Sequence, residues 1–173
     1  MRTVSEEVLV ADEDIAQLDA GDLEQLKAAA AANARRRIRI CAHRDPSEPL
    51  HEMVIVHMRG VYVRPHKHLG KTESIHVVEG LADVVFFDDA GGVLDVIPIG
   101  ASNSGRVFYY RLAAPSYHTF VVSSEFFVFH EVTNGPFHRE DTVFPPWAPE
   151  EDDAARVARF QERLASAVAG SGR

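Results

Sequence analysis

The sequence predicts an all-β core, wound as a barrel or sandwich, with helical extensions at both ends. Short runs rich in β-branched and aromatic residues recur at close spacing between Arg37 and Val132. Turn-forming clusters separate them, among them Asp88-Asp89-Ala90-Gly91-Gly92, a hairpin turn by composition, and Ser102-Asn103-Ser104-Gly105. Helical patterning is confined to the two ends of the chain.

Residues 1–34 are acidic, then alanine-rich, and are expected to form a helical N-terminal extension. Ser5 to Leu9 reads as a short strand or turn entry. Asp12 to Asp19 and Asp22 to Asn33 each suit a helix, with Gly21 between them and Asp22 as a cap. The barrel is expected over residues 35–150. Its strands are Arg37–Cys41, Met53–Met58, Val61–His68, Ser74–Val78, Ala82–Phe87, Val93–Ile97, Val107–Leu112, Thr119–Val122 and Glu125–Val132. Three prolines in Phe144 to Pro149 exclude a helix or an inner strand there. Residues 151–173 carry a helix from about Asp152 to Val168. Its stripe of Val157, Phe160, Leu164 and Val168 is expected to pack on the barrel or on a partner subunit.

The 173 residues suffice for one domain with a real core. With 26 acids against 18 bases, nucleic acid is excluded as the main partner. Arg35-Arg36-Arg37, the one basic cluster, reads as a surface or oligomer contact, and the adjoining Ile38–Ile40 as a barrel edge available to a homodimer. The single Cys41 forms no internal disulfide and suits a small buried position. An acidic start and the lack of a long apolar run predict no signal peptide, no membrane partner and a cytoplasmic location.

The chemistry concentrates in Gly60 to Gly80. His66 and His68, two apart, share one face of a strand with Cα atoms ~6.6–6.8 Å apart. Glu73 returns after a bend at Gly70. Two imidazoles and a carboxylate suit iron(II), manganese, nickel, zinc or copper with open positions. The same alternation puts Tyr62 and Arg64 on the His66 face, where they would hold a substrate carboxylate, phosphate or hydroxyl. Lys71 reads as a solvated charge. Glu131 shares a strand face with Phe127 and Phe129. A carboxylate there must be paired, metal-bound or protonated, which marks a general base or an anchor for a ligand histidine. A shift of register would turn His130 inward instead.

Gly60-x5-His66-x-His68-x4-Glu73-x6-Gly80 resembles the first motif of the cupin superfamily at every fixed position. The resemblance implies a jelly-roll barrel holding one metal ion with three histidines and a glutamate. The fourth ligand belongs to a second motif, of which only His118 survives; Val107, Ala113, Pro115 and Val122 replace its other fixed residues. Val122 is expected to point inward beside His118. A narrower resemblance, to the WbuC-type cupin-fold metalloproteins, covers Arg35 to about Glu150. It rests on Arg35-Arg36-Arg37 with His43, Tyr62 to His68, Lys71, Phe87-Asp88, Tyr117-His118, Glu131, Gly135-Pro136-Phe137 and Pro146-Trp147-Ala148-Pro149. These resemblances imply metal ligands His66, His68, Glu73 and His118, with Tyr62, Arg64 and Glu131 as catalytic candidates. They imply a small-molecule substrate, a carbohydrate or a carboxylate. An iron(II)-type oxygenase or other oxidoreductase is the leading expectation. The alternatives are a zinc-, manganese-, nickel- or copper-dependent isomerase or lyase on a sugar or sugar nucleotide of surface-polysaccharide synthesis, and a non-catalytic sugar-binding or metal-sensing barrel.

Overall fold

The computed structural model describes residues 1–171. Two short strands, β1 (Arg2–Ser5) and β2 (Val8–Val10), precede helix α1 (Ala20–Ala32). Then follow β3 (Arg37–Cys41), β4 (Leu50–Met58), β5 (Lys67–His68), β6 (Glu73–Glu79), β7 (Leu81–Phe87), β8 (Val93–Gly100), β9 (Tyr109–Leu112), β10 (Tyr117–Val122), β11 (Phe126–Asn134), β12 (Thr142–Val143) and helix α2 (Ala154–Ser171). One sheet runs β1-β2-β3-β4-β11-β6-β9, a second β10-β7-β8, and β5 pairs with β12. An antiparallel bridge between His66 and His118 ties the two motif regions together.

Strand alternation fills the barrel. Phe127 and Phe129 of β11, Ile55 of β4, Val77 of β6 and Phe120 and Val122 of β10 share the inner core. Residues of opposite parity face out under the helices. Ile38, Ile40, Val56 and Val128 meet Leu26 and Ala30 of α1. This arrangement reverses the usual polarity of β3: α1 covers its isoleucines, while Arg37, Arg39 and Cys41 line the barrel mouth. The expected edge at Ile38–Ile40 is therefore corrected, because β2 pairs with β3 in parallel and β4 flanks its other side.

Three further expectations are corrected. Asp12 to Asp19 forms no helix; its only strong apolar residues are Ile15 and Leu18, too few for a buried stripe, and Ile15 is exposed. Residues 1–34 instead contribute two strands and one helix. Helix α1 is capped by Asp19, not Asp22: Asp19 accepts from the Asp22 amide and Asp22 returns the bond to the Asp19 amide. The run Val61 to His68 is a strand only at Lys67–His68, since Pro65 interrupts the ladder.

Two glycines mark close approaches. Gly80, at φ 86°, joins β6 to β7 where a Cβ would lie 2.1 Å from the Phe126 carbonyl oxygen. Gly91, at φ 89°, sits in the predicted β7–β8 hairpin against the Trp147 ring. Asp153 caps α2 by accepting from the Arg156 amide at 3.0 Å. The α2 stripe packs on this same chain: Phe160 and Leu164 bury against Val85, Phe87 and Tyr117 on the outer face of the smaller sheet. Phe160 also meets Tyr62 and Trp147. Phe160→Ala should lower stability by about 3 kcal/mol, read as a lower denaturation midpoint with an unchanged slope. An effect below about 0.5 kcal/mol, the range of ordinary surface substitutions, would mean that α2 is not held on the barrel.

Candidate metal centre and cavity

A cavity of about 1090 Å³ runs into the barrel and opens to solvent at its mouth. His66, His68, Glu73 and His118 lie together on its wall, His118 and Glu73 almost fully buried. The ring centroids of His66 lie 4.9 Å from His68 and 4.8 Å from His118. Glu73 Oε1 is 3.0 Å from His118 Nε2, and Glu73 Oε2 is 3.7 Å from His68 Nε2. Among the described residues no group of three or more His, Cys, Asp or Glu side chains stands in an arrangement that could hold a metal ion.

The far side of each ring is fixed. His66 Nδ1 meets the Arg64 carbonyl at 2.8 Å, and His118 Nδ1 meets the Ser116 carbonyl at 2.9 Å. A carbonyl only accepts, so both Nδ1 atoms carry hydrogen. When the rings are neutral, Nε2 is left as a bare lone pair. His68 Nδ1 is engaged by the Thr142 hydroxyl at 3.1 Å. Outer-shell bonds of this kind fix the tautomer and orientation of metal-ligating histidines. The 3.0 Å approach of His118 to Glu73 is not an aligned hydrogen bond, because Oε1 is buried without a hydrogen-bond partner. Two atoms close together but not aimed at each other suit two donors facing a third point. The four side chains supply the donor types that a divalent ion takes, three imidazoles and a carboxylate.

The electrostatics agree with that crowding. Burial drives His66 down to about 3, helped by the neighbouring His118 and His68. Burial also lowers His68, against the pull of Glu73. Burial alone would raise Glu73, but the facing His118, with His68 and His66, holds it at about 2. His118 is raised by Glu73 against its own burial. Glu73 and His118 thus each favour the charged form of the other.

Glu131 faces inward and lines the cavity, whereas His130 is turned out toward Glu52. Burial and the nearby Glu73 charge push Glu131 up to about 8. Arg64 lies at the cavity rim, 2.5 Å from Glu150 and with its guanidinium 4.6 Å from the Phe144 ring. Val122 points into the barrel core as expected, but two inward rows along β10 from His118 rather than beside it.

Tyr62 is a correction. It is absent from the cavity wall; its hydroxyl donates to the Pro149 carbonyl at 2.8 Å and its ring packs on Phe160. The chain from Val61 to Pro65 is irregular, so strand alternation does not govern it. Tyr62→Phe should cost about 1 kcal/mol of stability and leave metal uptake unchanged. A fall in bound metal per chain would return Tyr62 to the site. Lys71 is also not a free charge: it donates to the Asn134 and Pro136 carbonyls at 2.9 and 2.8 Å, clasping the loop after β11.

The sequence reading missed three inward groups. His51 and Thr133 pair with Glu73 in one cross-strand row, and their His51 Nε2 and Thr133 Oγ1 atoms are buried without partners. The parity of β4, fixed by Met53 and Ile55, could have flagged His51. His57 has the same parity and lies against Phe120 and Phe129. Burial lowers it from the ordinary 6.5 to about 4. The folded chain thus refuses a proton that the unfolded chain accepts. Its stability contribution is complete above pH 6.5 and falls by about 3 kcal/mol toward pH 4. His57→Leu should remove this loss, so its melting-temperature advantage over wild type should grow as pH falls through that window. Parallel pH curves for the two proteins would contradict it.

A family model described as a domain of unknown function, DUF6016, matches residues 18–99, less than half of the chain. That stretch contains His66, His68 and Glu73 but not His118. No curated protein matches the chain. Among solved structures, CapF with the inhibitor 3-isopropenyl-tropolone is similar at 18% identity and TM-score 0.51, over 65% of this chain and 32% of CapF. Protein SO0799 from Shewanella oneidensis is similar at 10% identity and TM-score 0.53, over 77% of this chain and 87% of that one. An uncharacterized conserved protein with a double-stranded beta-helix domain, from Klebsiella pneumoniae, is similar at 15% identity and TM-score 0.48, over 62% of this chain and 78% of that one. This chain thus spans about a third of CapF. The chain has an all-β, cupin-like fold. Among the described residues no helix is long and apolar enough to cross a membrane.

Proposed function

We propose that this chain is a metal-dependent enzyme acting on a small molecule, with one divalent ion held by His66, His68, Glu73 and His118. The observation that carries the reading is the set of three clustered imidazoles whose Nδ1 atoms are occupied by oxygen atoms, with the Nε2 atoms of His68 and His118 beside the buried Glu73 carboxylate. Iron(II) is the favoured ion, and zinc, manganese, nickel and copper share the donor chemistry. Such an ion would supply Lewis acidity and, as iron(II), a route to dioxygen chemistry.

The chain's own residues supply the rest. Phe120, Phe129, Met53 and Ile55 line the chamber and keep its wall dry. Glu131, protonated at neutral pH by its burial, serves as a proton donor at its carboxyl oxygen. Arg64 stands at the mouth, where opening its Glu150 contact frees a forked donor for an incoming anion. The WbuC-type resemblance of Arg35 to Glu150 supports a sugar-linked substrate within this reading.

Metal analysis of untagged protein tests the proposal, followed by oxygen uptake with iron(II). Stoichiometric iron with substrate-dependent uptake supports an oxygenase. Stoichiometric zinc, manganese or nickel without uptake moves the reaction to isomerase or lyase chemistry. Absence of any bound transition metal after reconstitution overturns the reading.

A further inference from the structure

The cavity is lined by seven cationic side chains, and six of them are already matched with acids. Arg2 pairs with Asp12, Arg35 and Arg37 with Glu7 and Glu151, Arg44 with Asp14, Arg64 with Glu150 and Lys71 with Asp141. Among the described residues Arg39 is the cavity-lining cation with no carboxylate in ion-pair range. Its charge is felt by Cys41, His43 and Glu131 without forming an ion pair with any of them. Helix α1 forces this orientation by covering Ile38 and Ile40 on the other face of β3.

Register places Arg39 relative to the metal centre. Arg39 pairs with Ile55, the next inward row holds Cys41, Met53 and Glu131, and the row beyond holds His51, Thr133 and Glu73. Two inward steps correspond to roughly 13 Å of backbone, which an arginine side chain and a sugar-sized ligand bridge together. At the Glu73 end lie the unpartnered Thr133 Oγ1 and His51 Nε2. Buried polar atoms of this kind call for partners that a hydroxylated ligand carries.

We propose that Arg39 is the anion anchor of this chamber, and that the ligand is a small hydroxylated oxyanion. Its carboxylate or phosphate meets the Arg39 fork, and its hydroxyls reach Thr133 and His51 beside Glu73 at the other end. The inference rests on the cavity being a ligand chamber, and it is read without metal.

Titration calorimetry on the full, chelator-treated chain tests it, with glucuronate, glucose 6-phosphate and glucose as probes. At least one anion should bind about tenfold or more tighter than glucose, the difference a charge-assisted hydrogen bond supplies. The preferred anion tells a carboxylate site from a phosphate site. Arg39→Gln should erase that preference, Arg39→Lys should retain part of it, and Arg2→Gln, which alters a cation already paired, should leave it intact. Equal binding of anions and glucose to the wild type, no binding of either anion, or a preference that survives Arg39→Gln would overturn the assignment. Metal content is measured on separate samples, so failure of the metal centre and failure of the anchor are told apart.

Discussion

His118→Ala should strip divalent metal from the protein and destabilise the metal-free chain as well. Loss of a direct ligand should weaken metal binding by more than the ~10–100-fold that loss of an outer-shell partner costs. The second effect has a separate origin. Glu73 is buried and held ionised chiefly by His118, 3.0 Å away. Removing His118 leaves a buried carboxylate facing two histidines whose own burial keeps them neutral. Breaking a buried pair in this way costs about 3–5 kcal/mol. Glu73→Gln in the same background should return part of that loss, because the remaining group no longer carries charge. The two substitutions should therefore be strongly non-additive in denaturant melts of chelator-treated protein. Additive effects would mean that the two residues do not act as a unit. Full metal occupancy in His118→Ala would remove His118 from the ligand set.

The legible part of this fold was wherever local pattern and tertiary burial agree. The hairpin at Asp88 to Gly92 is written in its turn residues, and β11 in the alternation of Phe127, Phe129 and Glu131. That alternation also decides between Glu131 and His130, once Phe127 and Phe129 are known to be core. The misreadings have a common cause. Tyr62 was assigned by strand parity in a segment that Pro65 keeps irregular, so its side chain swings to α2. Arg39 was passed over because an arginine alternating with isoleucine reads as the wet face of a strand. Only the position of α1 shows that the isoleucines face out from the barrel and the arginines face its cavity. Val8–Val10 overlaps the short strand entry read at Ser5 to Leu9, and its pairing with β3 fixes it as a strand.

The second large effect concerns Glu131 and has the opposite pH sense from His57. Burial and the Glu73 charge raise Glu131 from the ordinary 4.5 to about 8. The folded chain keeps a proton that the unfolded chain releases. Stability from this group is complete below pH 4.5 and is lost as pH rises toward 8, at roughly 1.4 kcal/mol per pH unit. The full loss is up to about 5 kcal/mol, an upper bound because Arg39 opposes it and water can enter the chamber. Glu131→Gln keeps the neutral form at every pH. In chelator-treated protein it should match wild type near pH 4 and exceed it in melting temperature by a margin that widens up to pH 8. An ion bound by Glu73 and the three histidines would offset the Glu73 charge. Adding metal should therefore narrow the wild-type deficit, which links the titration of Glu131 to occupancy of the site without any substrate. In turnover the same variant should lose kcat while retaining metal, because an amide has no proton to give. Identical pH–stability curves for the two proteins would show that Glu131 is ionised in the folded chain, and the proton-donor role would fall with it.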